Sequence, residues 1–176
     1  FAKDQATIWA TSQIFNGLVQ LDSNLNIKPC IAKSWSISNN GMTYAFTLRD
    51  DVFFHSDEAF ENNTRNVIAS DFTYSFDRLL SPEKAAPGTW VLGNVKDYYA
   101  LSDSLFVIEL KKPFPAFLGL LSMQYCSVVP HELAESNKFH YHPIGTGPFY
   151  FQYWEEGVKL VFRKNENYFE EKDSLS

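Results

Sequence analysis

The segment Gly145-Thr146-Gly147-Pro148 has the small residues that a phosphate-binding loop requires. It lacks the GxGxxG spacing and the following Lys-Ser/Thr pair of nucleotide-binding loops, and Pro148 has no backbone N–H to donate. The segment therefore disfavours nucleotide binding. It predicts a tight turn instead, in which glycine permits backbone angles that other residues avoid.

Histidine and cysteine are common metal ligands, but neither is spaced for a site. His140 and His142 would share one face of a strand, with His131 nearby, yet no acidic or cysteine partner stands at ligand spacing. Cys30 and Cys126 are far apart in the sequence and form no CxxC pattern. We predict no metal site and no cofactor, and we interpret the cysteines as separate buried thiols, with a single long-range disulfide left open.

Catalytic patterns are missing from the sequence as well. There is no nucleophile elbow, no HExxH motif, no pair of catalytic carboxylates and no cysteine with an ordered histidine. The acidic pairs Asp50-Asp51 and Glu155-Glu156 are typical of turns. The sequence therefore predicts a protein that is not an enzyme.

Composition excludes two further classes of function. The chain has 15 Lys and Arg against 21 Asp and Glu, a net charge of -6 that repels nucleic-acid backbones. No run approaches the roughly 18 to 20 consecutive apolar residues that cross a bilayer. At 176 residues and 45% hydrophobic, the chain has enough apolar surface for one or two globular domains.

Alternating apolar and polar residues predict antiparallel hairpins. After the turn at residues 39–41, every second residue from Met42 to Leu48 is apolar, which is the pattern of a half-buried strand. The predicted hairpins pair residues 35–37 with 42–48, 97–101 with 105–110, and 149–154 with 158–163. Residues 18–21 and 128–130 are predicted to be short single strands.

Short amphipathic helices are predicted between the hairpins. Ile8, Trp9, Ser12 and Phe15 recur at helical spacing, and Ser70 precedes a second helical pattern as its cap. The predicted helices cover residues 5–15, 71–80, 116–121 and 131–136, and the polar run 61–66 is predicted to be a surface loop. Few helices between many hairpins indicate the α+β class.

Several segments, in order along nearly the whole chain, resemble the peptide/nickel-type family (family 5) of bacterial extracellular solute-binding proteins. They are QIFNGLVQLD at residues 13–22, PCIAKSW at 29–35, NGMTYAFTLR at 40–49, ASDF at 69–72 with YSFDR at 74–78, and PIGTGPFY at 143–150 with RKNENYF at 163–169. The chain departs from the family pattern in a longer polar stretch at residues 56–68, at Cys30, and at Asn16, where an acidic or other polar residue is more usual.

The resemblance implies a periplasmic binding protein type II-like fold in which two lobes close on a ligand. It divides this chain into the N-terminal part of the first lobe (1–42), a small inserted α+β domain (43–139) and return strands of the first lobe (140–176). The second lobe is expected to be absent. The turn at Gly145, Thr146, Gly147 and Pro148 would lie near the hinge between the lobes.

Two segments are predicted to face the ligand, because each joins a helix to a strand and leaves backbone polar groups at a cleft. Phe15, Asn16 and Gly17 form the first, and Gln124 and Tyr125 are the strongest candidates in the second, beside Met123 and Cys126. A simple core role is the alternative for Phe15 and Met123.

The function that the resemblance implies is the solute-binding receptor of an ABC importer. Oligopeptides or dipeptides are the expected cargo, with a nickel chelate or an oligosaccharide as alternatives within the family. The expected partner is the permease in the membrane. The expected location is the periplasm or the outer face of a bacterial membrane, with or without a lipid anchor. A structural or protein-interaction domain is the alternative from another class.

Overall fold

Hairpins and short helices follow one another along the chain, and the predicted α+β class is confirmed. The computed structural model describes residues 5–136, 139, 141–155 and 158–170, with side chains from residue 8 onward. The regular elements are α1 (Gln5–Ile14), β1 (Val19–Leu21), β2 (Ile27–Pro29), β3 (Ala32–Ile37), β4 (Thr43–Leu48), α2 (Ala69–Leu80), β5 (Val95–Ser102), β6 (Leu105–Leu110), α3 (Phe117–Leu121), α4 (His131–Ala134), β7 (Phe149–Glu155) and β8 (Lys159–Lys164). Short 3-10 helices lie at Pro82–Lys84, Thr89–Leu92 and Gln124–Cys126.

The largest sheet is antiparallel and has the strand order β3-β4-β6-β5. Alternate residues of β4 are buried, because side chains on one face of a strand recur with period two. Phe46 of β4 lies opposite Phe106 of β6, and both are fully buried. Helix α2 covers this face: the rings of Phe72 and Phe76 lie 5.7 and 5.6 Å from the ring of Phe106. We call these four strands together with α2 the sheet unit.

All three predicted hairpins are confirmed. The structure adds a pairing that no local pattern predicts, since β4 joins β6 and thereby fuses two of the hairpins into one sheet. β3 and β4 also pair across the predicted boundary between residues 42 and 43. The three-part division of the chain stays a prediction.

Helix α2 begins at Ala69, two residues earlier than the sequence indicates. Ser70 lies inside the helix, so its prediction as the cap is wrong. Asp71 provides the capping contact instead, since its Oδ2 accepts a hydrogen bond of 2.9 Å from the backbone N–H of Ile68. The predicted end of the helix at Ser81-Pro82 is confirmed.

The predicted surface loop at residues 61–66 is confirmed as non-regular, and Arg65 anchors it. The Arg65 guanidinium donates to the two oxygens of buried Asp71 at 2.8 and 2.7 Å, and to Glu132 at 2.5 and 2.8 Å. It also lies 4.9 Å from the centroid of the Phe54 ring. This loop is therefore fixed to α2 and α4.

The prediction of a strand at residues 128–130 is wrong. These residues are extended but belong to no sheet, because Val128 donates a single hydrogen bond of 2.9 Å to the Asn16 carbonyl and Pro130 has no N–H for a ladder. The predicted apolar face of α1 is also wrong in part: Ile8 is 40% and Trp9 is 75% exposed, whereas Ile14 is buried. Burial in α1 is concentrated at its C-terminal end, where it meets the turn at residues 145–148.

No helix within the described part of the chain combines the length and the apolar character that a membrane span needs.

Candidate functional site

The two segments predicted to face a ligand lie side by side. The backbone N–H of Val128 donates to the carbonyl of Asn16 at 2.9 Å. A Cβ placed on Gly17 would lie 3.4 Å from the carbonyl oxygens of both Cys126 and Leu121. Residues 15–17 therefore lie within van der Waals distance of the backbone of the second segment.

The turn at residues 145–148 is the third segment in this region, and it packs on the end of α1. The N–H of Gly147 donates to the carbonyl of Ile14 at 2.7 Å. A Cβ on Gly145 or Gly147 would overlap the backbone of Ile14, so both glycines are required by close approach. Unusual backbone angles, the predicted reason, are not the cause: among the described glycines only Gly41 has a positive φ.

His55 forms hydrogen bonds to this turn and so connects it to the segment that precedes the loop at residues 56–66. Its backbone N–H donates to the carbonyl of Gly145 at 2.7 Å, and its Nε2 lies 2.9 Å from the carbonyl of Gly147. That carbonyl can only accept, so Nε2 must carry the proton. Asn165 Nδ2 donates to the same carbonyl at 3.1 Å. We call Ile14, His55, Asn165 and the turn at residues 145–148 the joint.

The His55 imidazole is held in its neutral form. The residue is 1% exposed, its ring centroid lies 4.3 Å from that of Tyr150, and its Nδ1 is buried with no hydrogen-bond partner among the described residues. Burial lowers the pKa of His55 to about 4, and the contact with the Gly147 carbonyl opposes this change. Sequence reasoning missed His55, because a lone histidine after an apolar run matches no motif.

Asn16 lies between the joint and the end of the described chain. The Thr146 hydroxyl donates to Asn16 Oδ1 at 3.0 Å, and Asn16 Nδ2 donates to the Tyr168 hydroxyl at 3.3 Å. Tyr168 donates in turn to Glu170 Oε2 at 3.3 Å. Burial raises the pKa of Tyr168, and the nearby Cys30 and Glu170 add to this rise. No local pattern points to Tyr168 as a partner of Asn16, since the two residues are 152 positions apart.

The other predicted binding residues have packing contacts. Phe15 is half-buried, with its ring centroid 6.1 Å from that of Phe139. Tyr125 is half-buried and lies against Gly88, where a Cβ would overlap the tyrosine side chain. Gln124 is half-buried in the short 3-10 helix beside it. These contacts leave each side chain partly accessible at the edge of the site.

The cysteines are free, as predicted, and both are buried. Burial raises the pKa of Cys30 and of Cys126 to about 12, so neither is a thiolate at neutral pH. His142 Nε2 lies 3.7 Å from Asp57 Oδ2, but the described residues contain no group of three or more His, Cys, Asp or Glu side chains arranged for a metal ion. His140 lies outside the described residues.

Comparison with known proteins decides the family. The family model described as bacterial extracellular solute-binding proteins, family 5, middle region, matches residues 26–176. This chain belongs to family 5. The fold is accordingly that of a type II-like periplasmic binding protein, in agreement with the fold expected from the sequence.

Two curated relatives of this family 5 chain differ in the ligand that their names state. Heme-binding protein A of Haemophilus influenzae is 30% identical over 185 residues, covering 94% of this chain and 34% of the relative. Probable di/tripeptide-binding protein 5 of Pseudomonas aeruginosa is 31% identical over 183 residues, covering 92% of this chain and 34% of the relative. This chain thus spans about a third of the length of the curated relatives that it matches.

A solved structure agrees with the family 5 assignment. The periplasmic binding protein DppA from Helicobacter pylori, in complex with the peptide STSA, superposes with a TM-score of 0.85 and is 29% identical. The match covers 96% of this chain and 36% of the solved chain.

Proposed function

We propose that this family 5 chain is part of the solute-binding receptor of an ABC importer, with oligopeptides or dipeptides as cargo, and that it is not an enzyme. The observation that carries the proposal is the meeting of the strand entrance at residues 15–17, the segment at residues 123–126 and the turn at residues 145–148. Together they bring backbone polar groups and half-buried side chains to one place.

The mechanism is a shift of population between open and closed forms. A solute that touches two lobes stabilises the closed form, which the permease recognises. Phe15, Asn16, Gly17, Gln124 and Tyr125 would supply one side of the cleft, and a second lobe, outside these 176 residues, would supply the other. The 176-residue chain alone therefore binds solute weakly or not at all.

The joint has a place in this mechanism. Four parts of the chain meet there, and its glycines allow backbone contacts that a side chain would block. We assign to Gly145, Thr146, Gly147 and Pro148 a position near the hinge. There they hold the side of the cleft that this chain supplies in a fixed arrangement. The division into residues 1–42, 43–139 and 140–176 belongs to the same proposal.

The names of relatives support peptide as the first cargo and favour a second candidate. A di/tripeptide-binding protein and a structure containing the peptide STSA support peptide. The relative named as a heme-binding protein favours heme. We place the receptor in the periplasm or on the outer face of a bacterial membrane, with the permease as its partner; the family description as extracellular supports this location.

Titration calorimetry tests the proposal directly. A library of dipeptides to pentapeptides, and heme in a parallel series, would be titrated into the 176-residue chain and into the receptor-length protein that contains it. We expect peptide to bind to the receptor-length protein and not to the 176-residue chain. Heat with heme and none with peptide would move the assignment to the second candidate, and tight binding of peptide by the 176-residue chain would contradict the two-lobe mechanism.

A further inference from the structure

The side-chain amide of Asn16 has an orientation that its neighbours determine. An amide has an acceptor end and a donor end, and the choice between them follows from the partners. Thr146, Tyr168 and Cys30 surround this amide, and all three are buried: Thr146 is 1%, Tyr168 is 7% and Cys30 is 2% exposed. A wrong orientation would leave buried polar groups unpaired.

Asn16 belongs to a series of hydrogen bonds that ends at Glu170, and Glu170 determines the direction of each bond in it. A carboxylate can only accept, so the Tyr168 hydroxyl must donate its proton to Glu170, 3.3 Å away. The Tyr168 oxygen is then left to accept, and the group that donates to it is Asn16 Nδ2 at 3.3 Å. The acceptor Oδ1 consequently faces the Thr146 hydroxyl at 3.0 Å, which donates.

The surroundings of Glu170 agree with this orientation. Glu170 is itself held in place: Gln20 Nε2 donates to Glu170 Oε1, and Lys28 Nζ lies 3.6 Å from the same oxygen. The acceptor that sets the direction is therefore fixed by two other side chains.

We propose that Tyr168, held by Glu170, is a positioning residue that fixes the orientation of the Asn16 amide at the candidate binding site. One hydrogen of the amide is turned toward Tyr168, and Oδ1 faces Thr146. What Asn16 can offer a solute is then the second lone pair of Oδ1 and the other amide hydrogen. The effect on solute binding rests on the proposed function, whereas the orientation of the amide does not.

Hydrogen exchange of the Asn16 side-chain amide, followed by NMR in the ligand-free 176-residue chain, tests the orientation without any solute. We expect these hydrogens to exchange about tenfold more slowly than those of exposed Asn62, and Tyr168→Phe to remove most of that protection. Glu170→Gln has an intermediate effect of about threefold, because its amide can meet the Tyr168 hydroxyl with either end. Unchanged exchange in Tyr168→Phe would overturn the proposal.

Tyr74→Phe is the matched control. Tyr74 also donates to a glutamate, Glu135, at 2.7 Å, but it lies on α2 in another part of the molecule. The same chemical change there should leave the exchange of the Asn16 amide as it is in the unaltered chain. An equal loss of protection in Tyr74→Phe would show that the effect is general destabilisation and would contradict the positioning role.

Calorimetry on the receptor-length protein supplies the functional arm. Tyr168→Phe should weaken peptide binding about tenfold, while Tyr74→Phe leaves it unchanged. A lower melting temperature with unchanged affinity would mean that Tyr168 is only structural, which overturns the proposal. If the unaltered receptor binds no peptide, the proposed cargo fails, and the exchange experiment still decides whether Tyr168 orients Asn16.

Discussion

The sheet unit and the joint are stabilised by different forces. In the sheet unit, Phe46, Phe72, Phe76 and Phe106 are all fully buried and pack ring against ring. In the joint, buried polar atoms and backbone groups meet through hydrogen bonds, and glycines allow the approach. Contacts between apolar rings have no donor or acceptor, whereas each hydrogen bond of the joint requires a donor that points at its acceptor. The predicted ligand-facing residues are beside the joint.

The largest expected effect is a cavity in the sheet unit. Phe106→Ala should lower the free energy of unfolding by about 3–5 kcal/mol, because the buried ring has close aromatic neighbours on α2. Urea unfolding followed by circular dichroism measures it. Leu101→Ala is the control, since Leu101 is 64% exposed and its removal should change stability by less than about 0.5 kcal/mol. A cost below about 1 kcal/mol for Phe106→Ala would contradict the described packing.

The second effect is acid sensitivity of the joint. The folded-state pKa of His55 is about 4, below its usual value of 6.5, so the unfolded chain takes up a proton first as the pH falls. The contribution of His55 to the free energy of unfolding is complete above pH 6.5 and is lost as the pH falls through 4. The loss is about 3 kcal/mol.

Unfolding measured between pH 7 and pH 4 checks the acid sensitivity. His55→Gln should be less stable than the unaltered chain at pH 7 and should show a flatter decline toward pH 4. His142→Gln, at an exposed position, is the control and should retain the steep decline. Equal slopes of the free energy of unfolding against pH for His55→Gln and the unaltered chain would show that His55 does not cause the acid sensitivity.

The third test addresses close approach at the joint. Gly147→Ala should cost about 2 kcal/mol, because the added methyl group overlaps the backbone at the end of α1. Gly119→Ala is the matched control: apart from its chain neighbours and the backbone of its own helix, no described atom lies within 4 Å of the added Cβ, and alanine should stabilise α3 by about 0.5–1 kcal/mol. Thermal unfolding compares the two. If both substitutions were neutral, the requirement for glycine at residue 147 would be refuted.

The smallest effect concerns one hydrogen bond at the candidate site. Thr146→Val keeps the shape of the side chain and removes the donor to Asn16 Oδ1, which should cost about 1 kcal/mol. Thr47→Val, on the partly exposed face of β4, is the control and should be nearly neutral, since valine suits a strand. Chemical unfolding of both variants would resolve the difference, and an equal change in each would argue against a specific bond at Thr146.

Local pattern was enough to predict most of the sheet unit. Alternation along residues 42–48 and the turn residues on either side predicted the hairpins, because strand burial has period two. The joining of β4 to β6 was beyond the sequence, since pairing between distant strands leaves no local pattern. The cap of α2 was misplaced because the N-cap position is Ile68, whose side chain cannot cap, and the capping contact comes from Asp71 three residues later.

The candidate site was predicted less completely. The segments at residues 15–17, 123–126 and 145–148 were each identified, and the structure brings them together. Their assignment to ligand binding stays a prediction. His55, Tyr168 and Glu170 were missed, because their importance arises from partners far away in the sequence.

The separation between Asn16 and Thr146 has a consequence for the order of folding. The hydrogen bond between them joins residues 130 positions apart, whereas the hairpins of the sheet unit close over short turns. Long loops cost more entropy to close and form their contacts later. During synthesis, Asn16 in the segment at residues 15–17 therefore has no contact with Thr146 until the turn at residues 145–148 has left the ribosome. The sheet unit can already be folded by then, and the site is completed last.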